Sequence, residues 1–140
     1  MKRVILSLIL TIVASATYVF SQDNNDPIGD HYIVVDDLST FFAEKENCIE
    51  VNPFYIRNFN EKESSKPVHL AVNEIKNVIK FGIASSSEQH YQQRRCYIRM
   101  EKSNYQECFY KALSAMNISY VLLNEQKLTL PDFFELTLNR

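Results

Sequence analysis

Glycine is almost missing from this chain, which has only Gly29 and Gly82 among 140 residues. Phosphate-cradling loops and dinucleotide fingerprints need several glycines where backbone approaches phosphate, so nucleotide chemistry of those classes is excluded. Cysteine is scarce too. Cys48, Cys96 and Cys108 form no Cys-x-x-Cys, which argues against a thioredoxin-type redox centre and against the common structural zinc sites. The three histidines, His31, His69 and His90, lie far apart and lack metal-ligand spacing, and no Gly-x-Ser-x-Gly or other nucleophile motif occurs. No cofactor and no metal are therefore expected. Nor is there an unbroken apolar run of membrane-spanning length: the stretch from Val4 to Phe20 is interrupted by Ser7, Thr11, Ser15 and Thr17, and falls short of the roughly 20 residues a bilayer requires.

What the N-terminus does contain is an export address. Lys2 and Arg3 precede the mostly apolar run Val4 to Ala14, and small residues follow, the order a secretory signal peptide needs. Ala14-Ser15-Ala16 and Val19-Phe20-Ser21 both fit the small-residue exit, and the second leaves the polar Gln22 as the new N-terminus. Residues 1–21 are accordingly expected to be a cleaved signal peptide, residues 22–30 a flexible segment, and residues 31–140 one domain. The protein is expected to be exported, either secreted or periplasmic, with no stable membrane span after cleavage. Cleavage removes two cations and no acid from a chain of formal charge −2, leaving a mature chain near −4. A mildly acidic domain is a poor polyanion binder, so nucleic acid is not an expected partner.

Periodicity supplies the architecture. Tyr32 to Val35 is β-branched and aromatic and reads as a strand, with Asp37 placed to cap a helix carrying Leu38, Phe41 and Phe42 as far as Glu46-Asn47. Ile49 and Val51 alternate with polar residues, Pro53 interrupts, and Phe54 to Phe59 resumes the strand, so an edge strand or a bulge is expected there. Asn60 to Lys66 reads as a loop open to nicking. From Pro67, the residues Leu70, Ala71, Ile75, Val78 and Ile79 predict a helix ended by a left-handed Gly82. Strict alternation from Arg95 to Glu101 predicts a half-buried strand, and Ser103 with Gln106 predicts a capped helix burying Tyr105, Cys108, Phe109, Ala112, Leu113 and Met116. Ser119 to Leu123 and Lys127 to Leu130 predict a hairpin, and Pro131 opens a terminal helix. The order implies a single small α+β domain, a sheet of about four or five short strands with two to four helices packed mainly on one face.

The same pattern nominates sites. Cys96 and Cys108 fall on the core faces of a strand and of the next helix, so a disulfide between them is the expected pairing, worth about 3 kcal/mol if unstrained. Cys48 is left buried or available for an intermolecular bond. Arg95, Tyr97 and Arg99 share the other face of their strand, and Tyr55, Arg57 and Phe59 join them if their strand lies alongside. Guanidinium groups interleaved with aromatic rings suit carboxylate, phosphate or peptide ligands, through forked hydrogen bonds and cation-π contacts, and a protein or peptide partner is the expected one. Asp36-Asp37 is the nearest approach to a carboxylate pair, and helix capping accounts for it. Asn117-Ile118-Ser119 is a formal glycosylation acceptor at a position that equally suits a helix C-terminus. An exported, non-enzymatic domain that binds a peptide or protein, as an inhibitor, immunity-type or accessory component, is the leading expectation. A small exported hydrolase whose polar residues converge only in the fold is the alternative, and a cleft joining His31, Asp36 and a further titratable group would favour it.

Overall fold

A computed structural model describes residues 30–88 and 92–140. The expected signal peptide, residues 22–29 of the segment expected to follow it, and His90 lie outside the described residues. The elements are β1 (His31–Val35), α1 (Leu38–Phe41), β2 (Ala43–Glu44), β3 (Ile49–Arg57), α2 (Lys66–Asn73), β4 (Val78–Ile83), β5 (Arg94–Met100), α3 (Tyr105–Ala115), β6 (Ile118–Leu123), β7 (Gln126–Thr129) and α4 (Leu130–Leu138). They form a single small α+β domain, as expected, around a mixed sheet ordered β4-β5-β3-β1-β6-β7, with β2 pairing β3. Only β1 and β6 run parallel, and the other neighbours are antiparallel.

Seven strands are present among the described residues, more than the expected four or five. The largest source of the difference is the segment after Pro67. Its helix stops at Asn73 rather than running to Gly82, because Asn77 turns the chain at a left-handed φ of 75° and Val78 to Ile83 then pairs with β5. That segment is rich in β-branched and aromatic residues, which favours a pleated surface over a helix. Gly82 has no positive φ and sits within the strand. The Asn73 side chain closes part of the outer edge of β4. Its Oδ1 accepts from the Phe81 N–H at 3.1 Å, and its Nδ2 donates to the Phe81 carbonyl at 3.2 Å and to the His69 carbonyl at 2.8 Å.

The first helix is also shorter than expected. Asp37 caps it, accepting from Ser39 N at 2.9 Å and Ser39 Oγ at 2.6 Å, and these bonds hold its carboxyl below the ordinary aspartate range. The chain becomes extended at Phe42, which lets two consecutive phenylalanines reach the same core. The Phe41 and Phe42 rings meet Phe109 edge-on at 5.6 and 5.3 Å, and Phe54 approaches Phe109 at 5.8 Å. Pro53 follows a cis peptide bond at a register shift in β3, which lies between β5 and β1, so the strand is bulged and central rather than an edge. The helix α3 forms where expected, although Asn104 at φ 55° is its N-cap and no side chain caps it. The hairpin turns at Asn124 and Glu125, both with positive φ, the geometry of a two-residue type I′ loop.

Alternation decides which face is buried. Ile33, Val35, Ile49, Val51, Phe54, Ile56, Phe81, Cys96, Ile98, Met100 and Val121 point into the core, where Val72 of α2, Cys108, Phe109, Ala112 and Leu113 of α3 and Phe133 of α4 cover them. The interleaved residues of the same strands form the opposite face, which carries no helix among the described residues.

An open tyrosine and arginine face as the candidate functional site

Cross-strand register brings together residues that are far apart in sequence. Tyr55 lies opposite Arg95, and Glu50 opposite Arg99. Lys80 pairs with Arg99 and Gly82 with Tyr97 on the other side of β5. Further along, Tyr32 stands opposite both Arg57 and Tyr120. The tyrosines are half-buried and Arg95 is exposed. Four of the five expected binding residues, Tyr55, Arg95, Tyr97 and Arg57, thus share one face of the sheet. The fifth, Arg99, is on the same face but engaged: its Nε donates to Glu50 Oε2 at 2.7 Å, a bond that raises its already high pKa.

The rings are organised. Tyr32 and Tyr120 stack at 4.8 Å between centroids and 7° between planes, and the Lys127 ammonium lies 4.3 Å from the Tyr120 ring. Partial burial, with Tyr32 and Asp30 adding to it, raises the Tyr120 phenol above its ordinary value, so it stays neutral at physiological pH. Lys80 approaches the Tyr97 ring at 5.8 Å. Gly82 is what lets Tyr97 lie across β4, since a Cβ there would come within 2.2 Å of the ring. A cleft lined by Asn52, Gly82, Ile83, Ala84, Arg95 and Tyr97 results. Tyr32, Tyr120, Lys80, Lys127 and Gly82 were not assigned to this face from sequence pattern, because their places on it depend on pairings between distant strands.

Phe59 does not belong to this face. It is buried, with the Arg94 guanidinium 4.7 Å above its ring and His31 stacked on it at 5.1 Å. Arg94 is itself fully buried. It donates to the carbonyls of Asn60, Glu61 and Glu63 at 3.1, 3.2 and 2.8 Å, and to that of Ala84 at 3.1 Å. Burial pushes its pKa down from the ordinary value while Glu63 opposes the shift, and an arginine so placed remains charged. The loop expected to be open to nicking is therefore held from within.

The remaining candidates separate. The expected Cys96–Cys108 disulfide is not formed, and all three thiols are free. Cys96 Sγ donates to the Arg94 carbonyl at 3.7 Å and Cys108 Sγ to the Lys76 carbonyl at 3.8 Å, so each behaves as a small buried side chain with a local acceptor. Cys48 is half-buried. Asn117, at φ 57°, ends α3 as a left-handed residue whose N–H donates to the Ser114 carbonyl at 3.0 Å, and it is exposed. His31 and Asp36 sit at opposite ends of β1, about 16 Å apart by strand rise, and His31 instead approaches Glu63 at 3.4 Å. The cleft joining His31 and Asp36 that would favour the hydrolase alternative is therefore not formed among the described residues. Among the described residues no group of three His, Cys, Asp or Glu could hold a metal ion, and no helix is long and apolar enough to cross a membrane.

No protein-family model, curated protein or solved structure matches the chain.

Proposed function

We propose that this is an exported, non-enzymatic binding protein that holds a peptide or protein partner on the open face of its sheet. The observation that carries the proposal is the one-sided construction. Helices cover one face, while the other presents ordered tyrosines interleaved with cations. Tyrosine and arginine dominate binding energy at protein interfaces, because each combines a large apolar body with directional polar groups. Holding their rings on a rigid sheet lowers the ordering cost of association.

Affinity capture from the exported fraction tests this. The wild-type chain is expected to retain a stoichiometric partner, and the double variant Arg95→Glu with Arg99→Glu is expected to lose it while keeping its circular dichroism. Unchanged capture by a folded double variant refutes the face. Intact mass tests export separately: a chain beginning at Gln22 agrees with it, and a full-length mass contradicts it.

A further inference from the structure

We propose that the cleft beside Tyr97 receives a carboxylate from an acidic segment of the protein partner. This rests on the open face being the binding surface and specifies the chemistry of what it binds.

Local charge is the first reason. Lys80, Arg95 and Arg99 lie together on β4 and β5, and Glu50, the carboxylate opposite Arg99 in the register, is already held by it. Lys80 and Arg95 pair with no carboxylate among the described residues. An excess of positive charge on this patch, in a chain that is acidic as a whole, complements a partner of the opposite sign.

Shape is the second. Because Gly82 has no side chain, the Tyr97 ring lies over the strand, and the cleft then opens between that ring, Asn52 and Arg95. Ile83 and Ala84 complete its lining, and its polar side chains are a forked guanidinium and an amide. A guanidinium fork matches the two oxygens of a carboxylate, the Asn52 amide supplies a further donor, and the Tyr97 ring accepts the methylenes of a glutamate side chain. An alanine at position 82 would displace the ring without changing a charge.

Octaglutamate is a suitable probe, with octaglutamine as the neutral control and a heparin tetrasaccharide as a non-peptide polyanion. Amide shifts of the isotopically labelled wild-type chain are expected to move around Gly82 to Ala84 and Arg95 to Tyr97 on adding octaglutamate, and to stay put with octaglutamine. Gly82→Ala and Arg95→Gln, each verified as folded, should both weaken octaglutamate binding about tenfold, the scale of one charge-assisted contact. Wild-type affinity in both variants, or shifts elsewhere on the surface, overturns the cleft. Tighter binding of heparin than of octaglutamate overturns the acidic-segment assignment. If octaglutamate does not bind while the Arg95→Glu, Arg99→Glu variant still loses the captured partner, the carboxylate chemistry fails and the binding face survives. If that variant keeps its partner, both fail.

Discussion

Replacing Arg94 by methionine should reveal how much of this fold depends on one buried cation. Arg94, the first residue of β5, is fully buried while its guanidinium holds four carbonyls, three of them in the loop between β3 and α2. Methionine keeps the apolar stem and removes every donor. Hydrogen bonds from a charged group contribute about 1.5–3 kcal/mol each. They are not additive, and the loop carbonyls can turn to water once released. Breaking such a buried charged set typically costs about 3–5 kcal/mol, against a total of about 5–15 kcal/mol for a domain. With a urea slope of about 1–3 kcal/mol per molar, the midpoint should fall by about 2 M. The chain has no tryptophan, so far-ultraviolet circular dichroism with tyrosine fluorescence is the readout. Trypsin supplies the local signal: Lys62 should resist cleavage in the wild type and be cut in the variant. Arg94→Lys should behave much like the methionine variant, because a single ammonium cannot fork to four acceptors. A loss below about 1 kcal/mol in Arg94→Met, with the loop still resistant, would refute the role assigned to this residue.

Asn73→Ala should remove the side-chain clamp on Phe81, lowering stability by about 1–2 kcal/mol and exposing the β4 edge; an increase in aggregation by light scattering is expected, and an unchanged scattering profile would count against edge protection. The buried thiols give a pH prediction. Burial pushes Cys96 up to about 12 and Cys108 up to about 11. Because these folded values exceed the unfolded one, the stability they contribute is complete below about pH 9 and is lost as pH rises toward 12. At pH 8 an aromatic disulfide reagent should therefore modify Cys48 first and reach Cys96 and Cys108 only on unfolding; equal rates for all three would contradict the burial.

Legibility in the sequence varied with the range of the interactions involved. The alternation of Arg95 to Glu101 and the apolar stripe of α3 are local patterns, and both elements form where they were expected. The stretch after Pro67 misleads because Leu70, Val78 and Ile79 fit a helical stripe, yet Leu70 and Ile79 are exposed in the fold. Pairing with β5 settles that segment, and pairing is not encoded locally. For the same reason the candidate face was half visible. Arg95, Tyr97 and Arg99 share a strand and can be placed from spacing alone, whereas Tyr32, Tyr120, Lys127 and Gly82 join them only through register. Phe59 was misassigned because β3 ends at Arg57 and Asn58, at a left-handed φ of 61°, breaks the alternation, so that Phe59 packs inward against Arg94 and His31. The Cys96 and Cys108 thiols were correctly placed in the core, but facing the core is a weaker condition than the close Cβ approach a disulfide demands.

The most direct test of the binding face is an amide-shift map of the labelled chain with the partner captured from the exported fraction. Shifts and line broadening concentrated at Tyr32, Tyr55, Gly82, Arg95, Tyr97 and Tyr120, with α2, α3 and α4 undisturbed, are the predicted result. Perturbation confined to the helical side, with those six residues unmoved, would contradict it.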